Sequence, residues 1–368
     1  MSKATFIGAR AAGLDFATVS DPHARVALWS AFAALAVTLV LLAAVLAMRV
    51  RLLRRLARER GAAARWIPWI ARCAEEVAAT LPRLSRRDAD HFVLLWCRAQ
   101  DSLRGESQDH LREMARRLGA DAHVRRMFGS KSLRRRLVAT VALGHLHARD
   151  LAASLQAQVA SAPTLPSLVA AKALVRIDAA TGIHCVLSAA ARRQDWPVAS
   201  VATILKECES ESVWPALSSA IRLAMSRGDE IGAERLLRLH ITADTHAMRA
   251  VVRDVLAVCT SEEVLAAALA ALSCEDDIAH ARRLLGHPGW FVRVAAARAL
   301  GRIGDENDVT RLTSALRDSS WWVRHRAAQA LSQLPGMDAS QISDIAARQT
   351  DPYAADMLRQ ILAEGCVP

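Results

Sequence analysis

The chain is poor in aromatic residues, which make up 4% of its 368 positions, and it contains a single tyrosine. Hydrophobic residues nevertheless account for 52% of the sequence, so alanine, leucine and valine supply most of the apolar surface. Glycine and proline are also scarce, which excludes a collagen-like chain or a long low-complexity tail. Short apolar side chains with few helix breakers favour closely packed helices.

The familiar motifs of catalysis are missing. The sequence contains no H-E-x-x-H, no G-x-S-x-G and no phosphate-binding loop. Among its twelve histidines, His145 and His147 are only two positions apart, so they point to different sides of a helix and cannot share a metal there. We therefore predict no catalytic residue, no bound cofactor, no metal site and no enzymatic activity.

Paired cysteines are missing as well. The seven cysteines are scattered, odd in number and form no C-x-x-C motif. A secreted disulfide-bonded scaffold would be smaller and denser in cysteine, so this pattern predicts reduced and mostly buried thiols in the cytosol.

Net positive charge is absent from the longer, C-terminal part of the chain. The formal charge of +11 arises before residue 137: residues 49–65 carry +6 and 111–136 carry +7, whereas 137–368 carry −2. A solenoid that binds nucleic acid would need a basic surface along its repeats. The charge distribution therefore argues against nucleic acid as a partner, and weak binding through 111–136 is the only form of it that the sequence leaves open.

One uncharged run is long enough to cross a membrane. Residues 26–48 form 23 consecutive positions without a charge, and about 20 helical residues span the hydrocarbon core. A cleaved signal peptide is the alternative, but its apolar core is shorter and its basic residues precede that core. We predict a single retained transmembrane helix over 26–48, with 1–25 as a short extracytoplasmic segment.

A basic segment follows the apolar run, and we predict a juxtamembrane helix over 49–70. The positive-inside rule places this side in the cytoplasm, so we expect a single-pass protein of the bacterial inner membrane with its C-terminal part in the cytoplasm. Trp66 and Trp69 would either anchor at the membrane interface or pack into the first soluble helices. The residues predicted to contact lipid headgroups here are Arg49, Arg51, Arg54, Arg55, Arg58, Trp66 and Trp69.

Two stretches near the C-terminus repeat with a constant offset of 31 residues. HPGWFVRVAAARAL (287–300) and DSSWWVRHRAAQAL (318–331) share an aromatic, a Val-Arg pair and an alanine-rich run. Within the first, Val292, Ala296 and Leu300 lie on one face of a helix. DVTRLTSALRD (308–318) is predicted as its partner helix, with Asp305 or Asn307 at its start. Such a helix pair must stack on its neighbours to bury both faces.

The pattern VRVAAARALGRIGD (292–305) resembles a HEAT repeat, and it is most similar to the short bacterial variety related to phycobilisome-lyase repeats. The resemblance is strongest over 276–335 and fair over 137–207. It implies that the alanines allow close helix approach, and that Arg293 and Arg324 orient neighbouring units rather than act in catalysis.

The predicted fold is therefore all-α: a transmembrane helix followed by an α-solenoid of HEAT-like hairpins. Residues 71–136 would be a helical N-terminal cap or degenerate repeats, 137–350 the repeat solenoid, and 351–368 a capping helix. The basic run 111–136 has a solvated face as its simplest explanation. Contact with lipid or an acidic partner is the alternative, through Arg125, Arg126, Arg134, Arg135 and Arg136.

Four large aromatics stand at the starts of the two repeated helices. Stacking does not require them, so they would either pack between repeats or form an exposed partner-binding patch. The residues are Trp290, Phe291, Trp321 and Trp322, which we call the aromatic row.

The function that this reasoning favours is a non-catalytic, membrane-anchored scaffold that binds a protein at the cytoplasmic face. Its resemblance to anchored bacterial HEAT proteins suggests an accessory subunit of an envelope polysaccharide synthase or glycosyltransferase complex. The alternative, which rests on the resemblance alone, is a phycobilisome-lyase-like enzyme or chaperone that acts on a tetrapyrrole-bearing protein.

Overall fold

The computed structural model describes residues 22–239 and 246–365, and every regular element within them is helical. The chain divides into two compact units, Met1–Ala71 and Arg72–Pro368. The helices, numbered in chain order, are α1 (Pro22–Glu75), α2 (Ala89–Ser102), α3 (Glu106–Arg117), α4 (Ala120–Phe128), α5 (Leu133–His145), α6 (Ala152–Ser161), α7 (Thr164–Ile177), α8 (Ala179–Arg192), α9 (Val198–Leu205), α10 (Ser210–Ser226), α11 (Glu230–Arg238), α12 (His246–Val258), α13 (Glu262–Ala270), α14 (Ile278–Leu284), α15 (Trp290–Ile303), α16 (Val309–Ala315), α17 (Trp321–Gln333), α18 (Ala339–Ala347) and α19 (Pro352–Ala363).

Helix α1 carries the uncharged run. It begins at Pro22, where the ring fixes a helical φ and the missing N–H is not needed. The helix is continuous through both the apolar and the basic segments, and the side chains over 29–54 are exposed throughout. Among the described residues, the part Trp29–Glu75 is long and apolar enough to cross a membrane by length and composition.

In the second unit, consecutive helices pack in pairs and the pairs stack side by side. The pairs include α4–α5, α6–α7, α10–α11, α12–α13, α14–α15, α16–α17 and α18–α19. The second helices of successive pairs also touch one another, as α5 touches α7 and as α11, α13, α15, α17 and α19 do in sequence. We call this series the second-helix row; in its middle, α8 bridges α7 and α11.

The repeated sequence forms the core of this stack. Val292, Ala296 and Leu300 are completely buried in α15, and the residues 31 positions later in α17 are equally buried. The structure corrects one detail of the pairing, because α15 packs on the preceding α14 whereas the following α16 packs on α17. Apolar periodicity identifies a helix but does not say which of its two sequence neighbours it packs against.

Two glycines set how closely the second helices approach. A Cβ at Gly301 in α15 would lie 2.9 Å from the Cα of Ala330 in α17, and a Cβ at Gly144 in α5 would lie 2.9 Å from the Cα of Ala173 in α7. Both contacts join positions 29 residues apart, near the C-terminal ends of both helices. Neighbouring helices in this row therefore run in the same direction.

Two arginines bind the end of a helix in an earlier hairpin. Arg302 donates to the carbonyl oxygens of Leu269 and Leu272 at 3.1 and 3.0 Å, at the C-terminal end of α13. Arg193 donates in the same way to two carbonyls at the end of α6, at 2.8 and 2.9 Å. The last carbonyls of a helix lack partners within it and carry the negative end of its dipole, so a guanidinium stabilises them.

Of the two residues predicted to cap the α16 region, Asp305 does so, and it caps the 3-10 turn that precedes α16. The Asp305 carboxylate accepts a hydrogen bond from the Asn307 backbone N–H at 2.9 Å. The buried Asp308 carboxylate accepts one from the Asp305 backbone N–H at 3.2 Å. These reciprocal bonds form a capping box around the 3-10 turn Glu306–Asp308 that precedes α16.

Candidate partner-binding surface

The aromatic row is exposed. Trp290 and Phe291 are 48% and 40% exposed, and Trp321 and Trp322 are 41% and 59% exposed. Each pair occupies the first two positions of its helix, α15 or α17. The sequence leaves two interpretations open, burial between repeats or an exposed patch, and the side chains are exposed rather than buried.

The aromatic side chains support one another. The rings of Trp290 and Phe291 meet edge to face with centroids 5.9 Å apart, and those of Trp321 and Trp322 do so at 4.8 Å. Trp321 also stacks in parallel on His325, one turn later in α17, at 5.0 Å. Edge-to-face and stacked pairs restrict rotamers, so these rings offer apolar area that is already ordered before a partner arrives.

The same edge carries further apolar side chains that the sequence analysis missed. The second residue is Leu165 in α7, Ile231 in α11 and Tyr353 in α19, and these are 57%, 57% and 68% exposed. They correspond in position to Phe291 and Trp322. What these residues share is the second position of their helix. The sequence alone does not show this, because the helix boundaries must be known first.

Arg293 forms hydrogen bonds with both of the turns that precede the aromatic pairs. Its guanidinium donates two hydrogen bonds to the Asp318 carboxylate, at 2.7 and 2.8 Å, and one each to the carbonyls of His287 and Pro288. The bond to Asp318 raises the pKa of Arg293. This side chain therefore ties the turn before α15 to the turn before α17, consistent with the structural role that the resemblance implies.

Arg324 repeats half of this arrangement. It donates to the carbonyl of Asp318 at 2.8 Å, which is 31 positions after the His287 carbonyl that Arg293 contacts. Its guanidinium carbon also lies 5.9 Å from the ring centroid of Tyr353 at the start of α19, a cation–π distance. The turn before α17 is thus linked to the last helix of the stack.

The basic run after residue 110 is largely engaged within the protein. Arg125 donates to the Asp150 carboxylate through its two terminal nitrogens, Nη1 and Nη2, and Arg135 binds Asp90 at 3.1 Å. Arg126 and Arg136 donate to nearby backbone carbonyls, while Arg134 is exposed. Contact of this run with lipid or with an acidic partner remains a prediction.

The candidates on α1 differ in exposure. Arg49, Arg51, Arg54 and Arg58 are exposed, and the side chain of Arg55 lies outside the described residues. Trp66 is completely buried, whereas Trp69 is half-buried. Lipid contact by the four exposed arginines and by Trp69 remains a prediction, whereas the buried Trp66 side chain offers no surface to headgroups.

The described cysteines are all free thiols, and each is buried or half-buried. Cys73 and Cys97 are buried, Cys185, Cys208, Cys259 and Cys274 are half-buried, and Cys366 lies outside the described residues. Burial raises the pKa of the Cys185 thiol, which disfavours the reactive thiolate. Within the described ranges, no group of three or more His, Cys, Asp or Glu side chains could hold a metal ion.

His145 lies in a polar cluster where α2, α5 and α7 meet. Its Nε2 accepts a hydrogen bond from Arg176 at 2.7 Å, since a guanidinium can only donate. Arg176 also binds Asp101 at 2.8 Å and Glu207 at 3.1 Å, and the indole of Trp96 meets the imidazole edge-on at 5.8 Å. Burial and then the charge of Arg176 lower the pKa of His145 to about 4.

Acidification is expected to destabilise the stack through His145. Its pKa is depressed in the folded chain, so its contribution to stability is fully present above the unfolded pKa of about 6.5. That contribution is lost as the pH falls towards about 4, and the free energy of unfolding decreases by at most about 3 kcal/mol. The check is the thermal midpoint at pH 7.5 and pH 5 for the protein and for His145→Gln, whose amide can still accept from Arg176. An equal pH dependence in both proteins would contradict the assignment.

Comparison with known proteins supports the repeat assignment. Residues 249–332 match the family of HEAT repeats, a span that runs from within α12 to within α17. The search of curated proteins finds no match to the chain. The matched span contains the aromatic row and both repeated sequences. The match over 249–332 and the stacked helical hairpins together support a HEAT-repeat protein.

Proposed function

We propose that this protein is a non-catalytic scaffold, anchored in the bacterial inner membrane by α1, that binds a protein partner at the cytoplasmic face. The observation that carries the proposal is the exposure of the aromatic row on ordered helix starts. Tryptophan and arginine dominate the binding energy of protein interfaces, and large exposed apolar patches on a folded surface are characteristic of interaction sites. HEAT repeats in general mediate contacts between proteins.

The charge distribution along α1 supports the membrane location. Seven arginines and one glutamate lie within 49–65, directly after the uncharged run, which is the arrangement found on the cytoplasmic side of a membrane. A partner that shares the membrane meets the anchored stack at a raised effective concentration, so a modest interface would suffice. We propose a membrane enzyme as that partner, with a glycosyltransferase of envelope polysaccharide synthesis as the specific candidate.

Truncation of the aromatic row is expected to release the partner without unfolding the stack. The double variant Trp290→Ala/Trp322→Ala should lower the yield of co-purified membrane protein more than tenfold, because each buried interface tryptophan contributes roughly 2 kcal/mol or more. The measurement is tagged purification of the full chain in mild detergent, with quantitative mass spectrometry of the bound proteins.

Leu223→Ala is the matched control for this experiment. Leu223 is a 48% exposed side chain on α10, away from the aromatic row, and its loss should leave capture unchanged. Undiminished capture by the double variant, with a normal circular dichroism spectrum, would refute the proposed site. Capture of no protein by the unaltered chain would refute the scaffold function itself.

A further inference from the structure

Two arginines follow the aromatic pair along α15. Arg298 and Arg302 come 8 and 12 residues after Trp290, which at 3.6 residues per turn places them about 80° and 120° around the helix axis from it. Arg298 and Arg302 are exposed, about 12 and 18 Å along the helix axis from Trp290. The exposed surface of α15 therefore changes from aromatic to cationic along the helix.

A third arginine on α17 joins this pair. Arg326 lies one turn after Trp322, and its guanidinium donates to the Gln329 side-chain oxygen at 2.7 Å. Burial and then the charge of Arg298 lower the pKa of Arg326, and the same two causes lower the pKa of Arg302. Arg298 and Arg302 are one turn apart on α15, and the close approach of Gly301 in α15 to Ala330 in α17 brings the turn of α17 that carries Arg326 beside Arg298. We call the three side chains the arginine cluster.

The arginine cluster has no acidic partner within 4.0 Å in the part of the chain that the structure describes, in contrast to arginines elsewhere in the same repeats. Arg293 binds Asp318, Arg282 binds the buried Asp308 at 2.7 Å, and Arg253 binds the buried Asp277. The α13 carbonyls that Arg302 contacts and the Gln329 amide that Arg326 contacts carry only partial negative charge. No formal negative charge therefore pairs with the three guanidinium groups.

Unpaired guanidinium groups beside exposed aromatic rings favour a ligand that carries both carboxylates and apolar side chains. Repulsion among the three guanidinium groups is relieved when a carboxylate approaches, and a complementary charge gives an interface specificity and a faster association rate. Guanidinium also forms paired hydrogen bonds with a carboxylate. The neighbouring indoles need an apolar side chain from the same ligand.

We propose that the face formed by α15 and α17 binds an acidic, amphipathic segment of the partner protein, with apolar side chains on the aromatic row and Asp or Glu carboxylates on the arginine cluster. The distance along the helices from aromatics to arginines, about 6–18 Å, corresponds to one to three turns of a helical ligand or two to five extended residues. This inference rests on the proposed scaffold function and defines the chemistry of its site.

The test is selection of random 16-residue peptides displayed on phage, against the full chain held in nanodiscs of zwitterionic lipid. Peptides enriched on this protein relative to Trp290→Ala/Trp322→Ala should combine aromatic or large aliphatic residues with an excess of Asp and Glu over the starting library. Synthetic copies of these peptides should bind at least tenfold more weakly to Arg298→Glu/Arg326→Glu.

Arg359→Glu is the matched control, because Arg359 is an exposed arginine in the second-helix row that is already paired with Asp356 at 2.6 Å. It should bind the selected peptides as the unaltered chain does. Enriched peptides without acidic excess, or equal affinity for Arg298→Glu/Arg326→Glu, would overturn the proposal while leaving the scaffold function in place. Failure to enrich any peptide would also overturn the proposal, whereas the scaffold function is decided by the co-purification experiment.

A membrane surface is the competing source of anionic groups. Repeating the binding measurement in nanodiscs that contain phosphatidylglycerol distinguishes it from an acidic peptide. If the anionic lipid abolishes peptide binding to the unaltered chain and Arg298→Glu/Arg326→Glu removes that lipid effect, the cluster binds headgroups and the proposal is wrong. Unchanged peptide affinity in the anionic discs supports it.

Discussion

Replacing Asp308 by alanine is expected to destabilise the C-terminal half of the stack by about 2–4 kcal/mol. Asp308 is completely buried, and its two oxygens accept hydrogen bonds from Arg282 at 2.7 and 3.0 Å. It also accepts the Asp305 backbone N–H that closes the capping box. The substitution removes all of these bonds and leaves the half-buried Arg282 with only the more exposed Asp305.

Hydrogen-exchange mass spectrometry of the full chain in detergent locates this effect, because a repeat array need not unfold in one step. We expect faster exchange in α14–α17 and a thermal midpoint lower by several degrees. The matched control is Asp356→Ala, which breaks an ion pair whose two side chains are both more than 60% exposed. Such a pair contributes roughly 0–1 kcal/mol, so similar losses in the two variants would contradict the argument.

The substitution Gly182→Ala is expected to lower the free energy of unfolding by about 2 kcal/mol, although alanine is the better helix former. A Cβ there would lie 2.6 Å from the Cα and 2.7 Å from the nitrogen of Val175. Both are backbone atoms of α7, so the clash cannot be relieved by rotating a side chain. The α7–α8 contact must open instead.

Gly286→Ala is the control for Gly182→Ala, since its new Cβ would meet only the Arg283 carbonyl oxygen at 3.8 Å. We expect this control to change the thermal midpoint by no more than a degree or two. Unfolding followed by circular dichroism compares the two variants. A Gly182→Ala protein as stable as the control would show that the helices can move apart at little cost.

The helices and their buried faces could be predicted because a 3.6-residue period appears directly in the sequence. Val292, Ala296 and Leu300 show it, and each is buried as the period requires. The pairing of hairpins could not be predicted in the same way, since α15 has a suitable apolar face for either neighbour. Contacts between turns and helix ends, such as those of Arg302, also have no local pattern.

The candidate site was partly visible in the sequence. Trp290 and Trp321 stand out because repeat packing does not require them, yet exposure depends on which side of the helix start faces solvent. The arginine cluster was missed because Arg298 and Arg326 are not equivalent positions in the repeat: they are 28 residues apart and meet only through the packing of α15 on α17. The net charge of 137–368 also gave no indication of the arginine cluster, because acidic and basic residues are nearly equal in number there.

Arg302 and Arg193 both bind a helix end that comes earlier in the chain than they do. Arg302 belongs to α15 but satisfies carbonyls of α13, and Arg193 does the same for α6. In a nascent chain the ends of α6 and α13 therefore gain these donors only after the later hairpin has emerged, so these two ends are expected to be completed one hairpin behind synthesis. A unit duplicated in register would bring both its donor and its acceptors, which allows such an array to lengthen in evolution without new contacts.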